Sequence, residues 1–176
     1  MKLRKGSHDA TGLRFGIVVS KFNKYVTRRL LTSCAQALTK AGAKEDTIEV
    51  VRVPGAFEIP LVARTLAKSG RFDAVICLGA VIRGETPHFD YISAEASRGI
   101  MQAGLDADVP VVFGVLTTDT VAQAIERADP GKHNRGAEAA KTAIEMATVM
   151  RQLKGDGRPA VRKPSGARVA SRRRGG

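Results

Sequence analysis

The sequence predicts an α/β fold, a three-layer sandwich built on a four-stranded parallel sheet. Three observations carry that expectation. Short β-branched runs alternate with longer helical patterns in the order βαβαβαβα. The strand runs are continuously apolar, as expected where helices cover both faces of a parallel sheet. A chain of 176 residues with 43% hydrophobic and 5% aromatic content suits one domain with an aliphatic core.

In order, FGIVVS is the first strand, and Tyr25 to Ala41 carries the first helical pattern. IEVVRV is the second strand, followed by a helix from Ile59 to Ser69. AVICLGAVI is the third, followed by a helix from His88 to Asp106. VPVVFGVL is the fourth, and the last helix is expected from Asn134 to Leu153. Residues 1–12 are polar and lack periodicity, so they are expected to form a flexible N-terminal arm. The domain is expected to span residues 13–153, and 154–176, rich in Gly, Pro, Ser and Arg, to be a disordered basic tail.

The formal net charge of +12 would by itself suggest an anionic partner. Its distribution weakens that suggestion. From Lys154 onward eight basic residues face one acidic residue, Asp156, so the tail holds seven of the twelve charges. Nucleic acid is therefore not the expected partner. No run approaches the roughly 20 apolar residues of a membrane helix, and MKLRKGSHDATG lacks the apolar stretch of a secretory signal. A soluble, cytoplasmic protein without a membrane partner is expected. Cys34 and Cys77 sit in apolar surroundings without metal-ligand spacing and read as buried packing thiols; no metal centre is expected.

Ligands of open parallel sheets bind outside the carboxyl ends of the strands, which directs attention to SKFNKY, VPGAFEIP, GAVIRGETPHF and LTTDT. In the third loop Thr86 can cap a helix with Pro87 at its first position, leaving backbone N–H groups free beside Gly84, Glu85 and Thr86. Such a terminus attracts an anion, and Gly84 lets a phosphate approach closely. A well-capped helix is the plain alternative. His88 falls in the first turn, where the helix dipole disfavours a protonated imidazole and a neutral ring can accept a proton. A lone histidine there is otherwise a surface or packing residue.

In the second loop, small Gly55 and Ala56 permit close approach of a flat ligand, while Phe57 and Glu58 suit an aromatic ring and a polyol. Glu58 serves equally well as a carboxylate complementing a helix start. Phe22, at the end of the first strand amid polar residues, suits stacking on a heterocycle. Phe113, within a strand, reads as core or ligand contact. Arg127 offers a planar fork to a phosphate, or is an ordinary surface cation. Asn134 is a plausible N-cap, and Arg135, a cation at an unfavourable helix start, invites an anion, with Glu138 one turn on.

Together SKFN, PGAFE, GAVIRGETPHFDY, FGVLT and NRGAEAA, in this order across most of Phe15 to Leu153, resemble the lumazine synthase family. The resemblance implies a flavodoxin-like strand order and an enzyme of riboflavin biosynthesis, a transferase acting on two small molecules. It joins 5-amino-6-(D-ribitylamino)uracil to 3,4-dihydroxy-2-butanone 4-phosphate through an imine, phosphate elimination and ring closure, giving 6,7-dimethyl-8-ribityllumazine without a cofactor. It also implies that Phe22 stacks on the pyrimidine, that Ala56, Phe57 and Glu58 receive the ribityl chain, and that Ala80, Val81 and Ile82 line the ring. Phe113 would close the pocket from an adjacent subunit. Glu85, Thr86 and Arg127 would hold the butanone phosphate, and His88 would shuttle protons. Arg135 stands where the family usually has Lys, so it and Glu138 are expected only as support. The implied homo-oligomer is a pentamer, alone or as twelve pentamers in a 60-subunit shell. Two other readings stay open at this point: a flavodoxin-like module that binds a flavin without chemistry, and a basic nucleic-acid-binding or scaffold protein resting on the tail.

Overall fold

The elements of the computed structural model, which describes residues 1–131 and 133–155, follow the alternation read from the sequence. β1 spans Phe15–Ser20, α1 Lys24–Lys40, β2 Ile48–Val53, α2 Ile59–Lys68 and β3 Ala74–Ile82. α3 spans His88–Ala107, β4 Val111–Thr118, α4 Val121–Ala128 and α5 Arg135–Gly155. α4 is an addition to the four helical patterns read from the sequence. Thr120 starts it, its side chain accepting from the Gln123 N–H at 3.2 Å, and Ala124 and Ala128 form its buried stripe. The expected cap of α5 is present: Asn134 Oδ1 accepts from the N–H groups of Gly136 and Ala137 at 2.9 and 3.1 Å.

The four strands are all parallel, in the order β2-β1-β3-β4. This is the flavodoxin-like arrangement of an α/β sandwich. Successive side chains of a strand point to opposite faces, so each strand feeds two cores. Phe15, Ile17 and Val19 of β1 join Ile76 and Leu78 of β3 against Leu30 and Leu38 of α1 and Ala140, Ala143 and Ile144 of α5. Val18, Val75, Cys77 and Val115 instead meet Ile59 and Ala63 of α2 and Ala96 and Ile100 of α3. Burying each large aliphatic side chain contributes about 1.5–3 kcal/mol, so both layers are firmly held. Where α1 and α5 cross, a Cβ on Gly136 would overlap the Leu30 carbonyl; only glycine allows so close an approach.

Residues 1–12, read from the sequence as a loose arm, lie against α5. The Ser7 N–H donates to Thr148 Oγ1 at 2.8 Å, Gln152 Nε2 donates to the Lys5 carbonyl at 2.8 Å, and Ala10 is fully buried. Side chains of α5 thus satisfy backbone groups that a polar segment cannot pair on its own. The expected tail lies outside the described residues from 156 onward. Because the chain leaves β1 for β2 on one side and returns to β3 on the other, a crevice opens at the carboxyl ends of β1 and β3.

Candidate active site

The carboxyl ends of β1, β2 and β3 open onto a cavity of about 610 Å3. It is lined by Phe22, by Pro54 through Glu58, by Ala80, Val81 and Ile82, and by Gly84, Thr86, His88, Phe89 and Ile92. Three loops that looked chemically loaded in the sequence therefore meet in one place.

The first loop is fixed by backbone bonds and one side chain. The N–H groups of Lys21 and Phe22 donate to the carbonyls of Val53 and Pro54 at 2.8 and 3.1 Å, which ties the end of β1 to the end of β2. Asn23 adopts a left-handed conformation (φ 52°), and its Nδ2 donates to the Ala80 carbonyl at 2.8 Å, tying the same loop to β3. Held in this way, the Phe22 ring stands 70% exposed at the cavity edge. An aromatic ring so presented is available for stacking.

In the second loop Glu58 Oε2 accepts from the Gly55 N–H at 2.8 Å, so its carboxylate closes the turn that shapes the cavity wall while also lining the cavity. Ala56 is buried and Phe57 exposed. The third loop departs from expectation at the helix start. α3 begins at His88 with Pro87 before it, and no side-chain cap is made there. Thr86 lines the cavity rather than capping the helix. Gly84 has an ordinary φ, and a Cβ placed on it would meet nothing within 4 Å. His88 lines the cavity, whereas Glu85, exposed between two lining residues, does not.

Phe113, Arg127, Arg135 and Glu138 line a different space, a groove of about 870 Å3 beside the edge strand β4. Its walls include Met101 and Leu105 of α3 and Met146 and Met150 of α5. The Phe113 ring is 44% exposed there. Arg127 Nη1 donates to the Gln123 carbonyl at 3.0 Å, and Arg135 Nη1 pairs with Glu138 Oε2 at 2.6 Å. A single chain therefore does not bring Arg127 to Thr86. The reason is topological: α4 packs in the core shared with α1 and α5, whereas the third loop feeds α3 on the opposite face.

Cys34 and Cys77 are free and buried, as expected of packing thiols. Burial pushes both thiols up, Cys34 to about 12. Among residues not singled out from the sequence, Phe89 and Ile92 complete the cavity wall; their i, i+3 spacing places them on one face of α3. Asn23 was legible only as a letter in SKFN.

A model of the 6,7-dimethyl-8-ribityllumazine synthase family matches residues 12–151. The chain belongs to that family. It is thus a transferase of riboflavin biosynthesis that condenses 5-amino-6-(D-ribitylamino)uracil with 3,4-dihydroxy-2-butanone 4-phosphate, giving 6,7-dimethyl-8-ribityllumazine, phosphate and water. Of the readings left open by the sequence, the enzyme of this family is the one that the match supports. The match spans every strand and helix, ending within α5. Among the described residues no helix is long and apolar enough to cross a membrane.

Proposed function

We propose that the synthase reaction takes place where the cavity at the sheet's carboxyl edge meets the β4 groove of a second copy. In this reading Phe22 stacks on the pyrimidine, Ala56, Phe57 and Glu58 receive the ribityl chain, and Ala80, Val81 and Ile82 line the ring. Gly84, Glu85 and Thr86 receive the phosphate of the four-carbon substrate. His88 carries protons between the amine, the carbonyl carbon chain and the departing phosphate. Phe113 closes the pocket from the adjacent copy, which also brings Arg127 to the phosphate, with Arg135 and Glu138 as support.

The observation that carries this reading is the division of the candidate residues between two surfaces: the cavity holds the stacking ring and the imidazole, the groove the guanidinium groups. Neither is a complete site. A homo-oligomer, a pentamer alone or within a 60-subunit shell, joins them. Imine formation, phosphate elimination and ring closure need proton transfer and alignment of two substrates, and no cofactor. Two free, buried cysteines fit a reducing compartment, so the cytoplasm is the proposed location.

Lumazine absorbance, followed on mixing the two substrates with purified protein, tests these roles. His88→Ala is expected to lower kcat about a hundredfold, within the range of general acid–base contributions, with the KM for the pyrimidine unchanged. Equal loss of turnover and pyrimidine binding would make His88 structural. Arg127→Ala is expected to raise the KM for the keto-phosphate roughly tenfold, in line with a lost charge-assisted contact. An unchanged KM removes Arg127 from the site.

A further inference from the structure

The third loop carries the phosphate-binding and proton-transfer groups proposed above, yet little of it is tied down. Among the described residues no side-chain hydrogen bond or ion pair involves Glu85, Thr86 or His88. Its anchor lies one residue past β3. The Arg83 N–H donates to the Thr118 carbonyl at 2.9 Å, continuing the ladder with β4 beyond Ile82. Its guanidinium then reaches over both flanks of the loop. Nε donates to Asp119 Oδ1 at 2.9 Å, in the turn between β4 and α4. Nη1 donates to both carboxylate oxygens of Asp90 at 3.1 and 3.3 Å, in the first turn of α3. The same group lies over the Phe89 ring, 4.1 Å from its centroid.

We infer that Arg83 is a positioning residue for the reaction, a clasp that holds the third loop and the first turn of α3 so that Gly84, Thr86 and His88 face the cavity together. Phe89 sits next to His88 and itself lines the cavity, so fixing its ring and the Asp90 carboxylate fixes the turn that presents the imidazole. Asp119 supplies the outer anchor, in the turn after β4 and outside the loop itself. The task suits arginine. A planar fork can bind two carboxylates and stack on a ring at once, and an ammonium cannot. Both ion pairs are partly exposed, so they add little to global stability. What they fix is geometry, to which rate is far more sensitive.

The inference rests on the roles proposed for the third loop, and steady-state kinetics on the full-length enzyme, with each substrate varied in turn, separates the two. Arg83→Gln is expected to lower kcat and raise the KM for the keto-phosphate, reducing kcat/KM about tenfold or more. The KM for the pyrimidine, whose proposed contacts lie mostly on the other loops, is expected to stay within about twofold, and Tm to move little. Arg83→Lys is expected not to rescue. Asp119→Asn, which leaves the Asp90 and Phe89 contacts in place, is expected to shift the same constants less far, and the double variant to be no worse than Arg83→Gln. Unchanged keto-phosphate constants in Arg83→Gln, both KM values rising together, full rescue by Lys, or additive losses in the double variant would each overturn the clasp. Normal turnover in His88→Ala run alongside overturns the loop's roles instead. A normal Arg83→Gln beside an impaired His88→Ala overturns the clasp alone.

Discussion

Gly84 illustrates how a residue's role is found by removing its structural reasons. Glycine is required where φ is positive or where another atom crowds the backbone. Gly84 has neither constraint: its φ is ordinary and the space beside it is open. That space belongs to the cavity, so a Cβ there would occupy room that a ligand needs. Gly84→Ala is expected to leave Tm unchanged within about 2 °C, since no contact is lost. It is expected to raise the KM for the keto-phosphate several-fold; an unchanged KM would remove Gly84 from the phosphate site. Cys34 shows the opposite case, a group governed wholly by packing. Burial raises its thiol from 9.0 to about 12, so the folded state favours the neutral form. Its contribution to stability is complete below pH 9 and is lost as pH rises from there towards 12. Between pH 9 and 11 the denaturation midpoint of Cys34→Ala is expected to fall less steeply than that of the native chain, and parallel slopes would contradict this. The surroundings of both residues were partly legible in the sequence. Gly84 stood beside a helix start, and Cys34 stood amid apolar neighbours. The Glu58 bond to the Gly55 N–H was not legible, because a carboxylate at a helix start has the same sequence signature whether it turns to its own loop or to a ligand.

At the scale of elements, the strands and long helices were readable because hydrophobic periodicity is a direct imprint of burial. The meeting of the loops at one cavity was readable because a parallel sheet puts the connections after its strands at one edge. Two features escaped. α4 is only eight residues long, too short for a periodic pattern to stand out from a connector. α3 starts at His88 as read, but Thr-Pro suggests a side-chain cap by Thr86 that is not made. Asn23 couples elements more than either. Its left-handed backbone turns the chain from β1 into α1, while its side chain holds the end of β3 at Ala80. Asparagine visits that region more easily than most residues, and alanine there costs about 1–2 kcal/mol before the lost hydrogen bond is counted. Asn23→Ala is therefore expected to lower stability by about 2 kcal/mol and to raise the KM for the pyrimidine, because Phe22 loses its fixed position. Asn23→Gly, which restores the backbone but not the bond to Ala80, is expected to regain most of the stability and little of the affinity. Recovery of both would mean that the bond is immaterial.

Across the whole molecule the candidate residues separate into a cavity on the α2 and α3 side of the sheet and a groove along β4. The resemblance already set Phe113 on an adjacent subunit, but not Arg127, because spacing along a chain does not reveal which face of a sheet a helix packs against. An edge strand flanked by methionines and an exposed Phe113 is a surface suited to another copy of the chain. In the proposed site His88 comes from one copy and Arg127 from its neighbour. The most direct measurement co-assembles His88→Ala with Arg127→Ala in equal amounts and assays at a keto-phosphate concentration where either variant alone is nearly silent. With random mixing, half of the cavities keep His88 and half of the grooves keep Arg127, so about one quarter of the sites in a closed ring are intact. This fraction of native activity is expected to return on mixing. Activity no greater than the mean of the two separate variants would contradict it and place both residues in a site formed by one chain.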